Sequence, residues 1–135
     1  MITRVRTVGD AEAARSAVTE LSFNGYAKEN IHILAHDERS TDRLNESNGT
    51  EDIGFIEEGF LTAVANLFRS RGEELRTKMM SLGVSAKDAA LLEKELDHGR
   101  IVVIGWGGNM KFDHEKGDPN IVYTPALETM GSRPL

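Results

Sequence analysis

The sequence predicts an α/β fold: a small three-stranded sheet, order 1-3-2, with room for a fourth edge strand from the tail, and helices packed on one face. Three observations carry this. Short runs rich in β-branched residues occur at 3–8, 30–37 and 101–106, apolar residues recur at helical spacing between them, and glycines or helix-capping residues stand where the period changes. The length of 135 residues fits one domain. We assign the α/β domain to residues 1–106 and expect residues 107–135 to be an irregular, partly disordered tail.

The first strand, "TRVRTVG", places Thr3, Val5 and Thr7 on one face and Arg4 and Arg6 on the other. "DAEAARSAVTELSFNGY" then reads as a helix capped by Asp10, with Glu12 in its first turn and Ala14, Ala17, Val18 and Leu21 as its apolar stripe. Asn24 and Gly25 stop it, and Tyr26 is expected to fold back on the last turn. "NIHILAHD" is the second strand, with Ile31, Ile33 and Ala35 opposite His32, Leu34 and His36. Residues 37–52 show no apolar period and read as an exposed loop.

From Ile56 a helical period returns, in which Ile56, Phe60, Val64, Leu67 and Phe68 form one stripe. Gly72 interrupts it, after which Leu75, Met79 and Leu82 continue up to Gly83. Ser85 caps a further helix, with Asp88 three residues on and Ala89, Leu92 and Leu96 facing inward until Gly99. "RIVVIGW" follows as a strand that is apolar on both sides, Ile101 and Val103 against Val102, Ile104 and Trp106, which places it centrally between the first two. All three prolines (Pro119, Pro125, Pro134) fall in the tail, where "NIVYTP" supplies the extra edge strand.

Net charge is −6, and Asp37 to Glu58, with eight acidic residues against two basic ones, accounts for all of it. A chain so charged is repelled by phosphate backbones and anionic lipid, so neither nucleic acid nor a membrane surface is an expected partner. No apolar run approaches the ~20 residues that cross a bilayer. The chain has no cysteine. That excludes disulfides, thiolate metal sites and a cysteine nucleophile and, with no signal-peptide pattern, leads us to expect a cytoplasmic protein.

Two stretches, "LSFNGYAKENIHILAHD" and "MSLGVSAKDAALLEKELDHGRIVVIGW", together with the order of elements, resemble the heat-induced general stress protein family of the YflT type. The resemblance spans residues 3–106 and leaves the tail outside it. Many members carry a glycine- and alanine-rich middle, whereas this chain has an ordinary amphipathic segment there, Phe55 to Leu82. The resemblance implies a small cytoplasmic bacterial protein induced by heat or general stress. It brings no catalytic motif and no cofactor.

The residues themselves point the same way. His32 and His36 would lie about 13 Å apart on a strand, too far for one metal ion. Asp113, His114 and Glu115 are neighbours in a loop, where adjacent ligands seldom converge. "GWGGN" follows a strand, but no helix opens after it to hold a phosphate. Glu57–Glu58 and Glu73–Glu74 sit near helix starts, where carboxylates offset the dipole. No serine stands in a nucleophile elbow. We therefore expect no catalytic residue, no cofactor, no metal and no enzyme activity.

If helices cover only one face, Leu34, Val102, Ile104 and Trp106 are left as an open apolar strip on the other, which either marks an interface or is covered by the tail at Ile121 to Tyr123. The matching expectation is a homodimer with its sheets face to face. Two functional classes follow. One is a non-catalytic stress protein that acts through contacts with an unknown protein partner, with the acidic stretch 37–58 as a recognition surface. The alternative is a small-ligand-binding regulatory module with a cleft between the sheet and residues 56–82, lined by Phe55, Phe60 and Phe68.

Overall fold

The computed structural model describes residues 1–37 and 66–127. Their order is β1 (Thr3–Val8), α1 (Ala11–Phe23), a short 3-10 turn (Lys28–Asn30), β2 (Ile31–His36), β3 (Asn66–Ser70), α2 (Glu73–Ser81), α3 (Ala86–Asp97), β4 (Ile101–Gly105) and β5 (Ile121–Thr124). The α/β class holds, but among the described residues the sheet has five strands, in the order β3-β2-β4-β1-β5, where three and an edge strand from the tail were expected; β5 is that edge strand and β3 the addition. Within it β4 lies between β1 and β2, where its two apolar sides place it. It runs antiparallel to both, whereas β3 is parallel to β2 and β5 is parallel to β1.

Local chemistry sets the helix starts as expected. Asp10 sits in extended backbone, and its carboxylate accepts the N–H of Ala13 at 2.8 Å. Ser85 does the same for Asp88 at 3.1 Å. Each cap satisfies one of the amide donors that the first turn of a helix leaves without a partner. The stripe Ala14, Ala17, Val18 and Leu21 is buried, as are Leu75 and Met79 on α2 and Ala89, Leu92 and Leu96 on α3.

Those stripes cover opposite faces of the sheet, so the expectation of helices on one face is corrected. On one face α1 and Tyr26 pack on Ile31, Ile33, Ile101 and Val103. On the other, α2 and α3 pack on Leu34, Val102, Ile104 and Val5. The α1 face is closely fitted at Gly105, where an added Cβ would come within 2.9 Å of Leu21 Cδ2 and 3.1 Å of the Tyr26 ring. The tyrosine hydroxyl donates to the Ile2 carbonyl at 2.5 Å, which ties the helix end to the start of β1.

The expected helix reaching Leu67 and Phe68 is corrected as well, because Asn66–Ser70 is a strand. Adjacent apolar residues fit a helical stripe and also fit a strand covered on both sides. The covering decides: Leu67 packs on the α1 side and Phe68 on the α2–α3 side. The rest of that stripe, Ile56, Phe60 and Val64, and the acidic stretch beyond Asp37 lie outside the described residues.

From Gly107 to Leu127 the tail is part of the fold. The Gly107 N–H donates to Thr3 Oγ1 at 2.9 Å, and an added Cβ there would fall 2.1 Å from the Met1 carbonyl oxygen, so only glycine fits. Further on, the Ala86 N–H donates to the Glu115 carbonyl and the Asp118 N–H to the Gly83 carbonyl, which clasps the turn between α2 and α3. β5 then extends the sheet beside β1, and Leu127 is buried with the α2–α3 core. The Tyr123 hydroxyl donates to Asp88 Oδ2 at 3.0 Å. Burial, then the Asp88 charge, raises the pKa of this phenol.

Candidate functional site

The residues selected from the sequence come together on one sheet face, but they are not open. Leu34, Val102 and Ile104 are each 0% exposed, because α2 and α3 lie directly on them. Only Trp106, at the end of β4, stays half-buried at the margin of that core. The apolar strip expected to pair two sheets is therefore closed within the chain. Its cover, Leu75 to Leu96, begins just over forty residues after Leu34, a distance over which helical periodicity says nothing about which face is covered.

What the structure leaves accessible is the margin of the same face, where β3 is an edge strand among the described residues. Register places His32 opposite Asn66 on β3 and Ile104 on β4, and Leu34 opposite Phe68. Asn66 fixes the start of the edge, with its Nδ2 donating to the carbonyls of Glu29 at 3.0 Å and Ile31 at 3.2 Å. Phe68 looks onto one flank of α2. There Glu73, Glu74, Thr77, Lys78 and Ser81 recur at helical spacing, and with the Phe68 ring they line an open groove of about 480 Å³. Lys78 Nζ stands 5.7 Å from the centre of the Phe68 ring, a cation–π distance. Glu74 accepts from Ser70 Oγ at the far end.

His32 adjoins this groove. Burial, and then the charge of Lys78, lowers its pKa from 6.5 to about 4, so the ring is neutral at physiological pH. Its Nδ1 and the Trp106 Nε1 are buried with no hydrogen-bond partner. The Trp106 N–H donates to the Asn30 carbonyl at 2.8 Å, which continues the β2–β4 ladder by one step and makes Trp106 and His32 diagonal neighbours on the sheet.

The remaining candidates do structural work. His36 Nε2 lies 3.2 Å from Asp97 Oδ1 and links the end of β2 to the end of α3. Asp113 Oδ1 accepts the N–H groups of Glu115 at 2.8 Å and Lys116 at 3.0 Å and so builds a turn; these bonds, Lys116 first, hold its pKa down. Glu73 and Glu74 occupy the first turn of α2. Among the described residues no group of three or more His, Asp or Glu could hold a metal ion, and no helix is long and apolar enough to cross a membrane. Sequence reasoning missed the β3 edge and the groove beside it. The usable signal was "NLFRS", a short run whose apolar pair fits a strand covered on both sides.

With this geometry in hand, comparison with known proteins gives a consistent result. The family described as "Heat induced stress protein YflT domain" matches residues 3–99. "General stress protein 17M" of Bacillus subtilis (strain 168) is 39% identical over 99 residues, which cover 73% of this chain and 86% of the relative. No solved structure matches.

Proposed function

Since the chain belongs to the YflT family of heat-induced stress proteins and its role is stress-related, we propose that it acts in the cytoplasm without catalysis, by binding another protein at the β3 edge. The observation that supports this reading is the pairing of an edge strand with an apolar groove running alongside it. An edge strand offers a row of backbone donors and acceptors to an extended segment, and a groove beside it selects the side chains of that segment. The fitting partner presents an apolar side chain to Phe68, an acidic one to Lys78 and a basic one to Glu73. A second copy of this chain would also count as such a partner.

The test is affinity capture from heat-stressed cells with the parent and with Thr77→Arg and Ser81→Arg, both exposed positions that fill the groove. Ser16→Arg, exposed on α1 across the sheet, is the control. A protein retained by parent and control but lost from both groove variants supports the reading. Identical capture by all four would overturn it.

A second reading, a small-ligand-binding module, draws on the unpartnered ring nitrogens of His32 and of its diagonal neighbour Trp106. Native mass spectrometry separates the two, because a reproducible small-molecule adduct, with a matching rise in melting temperature, belongs only to the second.

A further inference from the structure

The α1 face of β3 carries an anomaly that the groove does not involve. Alternation along the strand sends Leu67 and Arg69 to that face, in register with the buried Ile33 and Ala35 of β2. Arg69 Nε and Nη2 are both hidden from solvent, and neither has a hydrogen-bond partner. These two nitrogens are neighbours on one edge of the guanidinium plane. Their N–H bonds point the same way, the fork that takes two oxygens of one carboxylate or phosphate group.

A guanidinium stays charged at any pH the protein meets, and although Arg69 as a whole is half-buried, the edge hidden from solvent loses hydration that no group of the described chain replaces. The position adds to the argument. Arg69 is the penultimate residue of β3, at the carboxyl end of the parallel β2–β3 pair, and ligands of open α/β sheets collect outside the carboxyl ends of parallel strands. Arg71, two residues on, adds a second positive charge at that end. The geometry points to a small oxyanion bound at Arg69, a phosphate or carboxylate group presenting two oxygens to the Nε–Nη2 edge.

The experiment is thermal melting of the full chain in chloride buffer at constant ionic strength, with inorganic phosphate or succinate added at millimolar concentration. The expected result is a rise of about 5 °C with at least one anion. Phosphate or succinate, whichever acts, then names the group. Arg69→Met should lose the rise. Arg69→Lys should lose most of it, since an ammonium keeps the charge but not the fork. Lys87→Met, exposed on the opposite side of the sheet, should keep it. Circular dichroism checks that each variant is folded, and Arg69→Lys carries the test if Arg69→Met is not. No anion-dependent rise in the parent, or an equal rise in the parent and the Arg69 variants, would overturn the site and leave water or the chain itself to satisfy Arg69.

Discussion

The two faces of the sheet are covered by different means. On one, a single helix packs through Ala14, Ala17 and Val18, and Leu21 with Tyr26 comes close enough that β4 needs glycine at position 105. On the other, two helices bring Leu75, Met79, Leu82, Leu92 and Leu96, and the tail adds Leu127. The first is a tight fit of one helix against the sheet, and the second is a larger apolar mass supplied by two helices and the tail. Their sensitivities should therefore be opposite. The α1 face should resist loss of volume and fail on gain, while the α2–α3 face should fail on loss of volume or insertion of charge.

The largest effect should come from Ile104→Asp, which buries an unpaired charge under α2 and α3. More than about 4 kcal/mol should be lost, and no cooperative melting transition should remain. A folded monomer instead would revive the sheet-face interface and break the comparison. Next, Leu96→Ala should cost about 2–5 kcal/mol by opening a cavity in the two-helix core, measured by urea unfolding. Gly105→Ala adds only a methyl group, yet it should cost about 1–3 kcal/mol because that group meets Leu21 and Tyr26. If this variant is neutral, the α1 face is looser than its geometry states.

The margin of the two-helix face should also respond to acid. The pKa of His32 is lowered on folding, so the unfolded chain binds more protons between pH 6.5 and about 4. The contribution of His32 is complete above pH 6.5 and disappears as pH falls to about 4. Allowing for the solvent that reaches the ring, about 1–2 kcal/mol is at stake. His32→Leu should flatten the melting temperature across that window relative to the parent; parallel curves would show that His32 does not titrate this way. The smallest effects belong to the caps. Asp10→Ala and Ser85→Ala should each cost about 1 kcal/mol, one on either face.

The same contrast explains what the sequence made legible. The β-α-β unit of residues 3–36 was readable in its caps, stripe and strand faces because these repeat a local period, whereas its fit against Ile101, Val103 and Gly105 of β4 is not local. Ser85, Leu92 and Leu96 were readable for the same reason, and so was the central place of the doubly apolar β4. The face taken by α2 and α3 was not, because no local period encodes which side of a sheet a helix returns to. Leu67 and Phe68 satisfied two periods at once, and only pairing with β2 chose between them. The groove and Arg69 are products of that pairing, so a reading that made residues 66–70 helical had no way to reach them.

The position of β4 has a consequence in time. Among the described strands β1 is paired with β4 and β5, and β2 with β3 and β4, so the strand that joins the two halves of the sheet comes after both β1 and β2 in the chain. As the chain leaves the ribosome, no strand is there to join β1 to β2 until Ile101–Gly105 emerges. That joining requires contacts across almost the whole chain, which slows folding and makes it a late, concerted event. Until then the backbone edges that β4 will pair have no partner within the chain, and unpaired strand edges invite aggregation, the more so in heat.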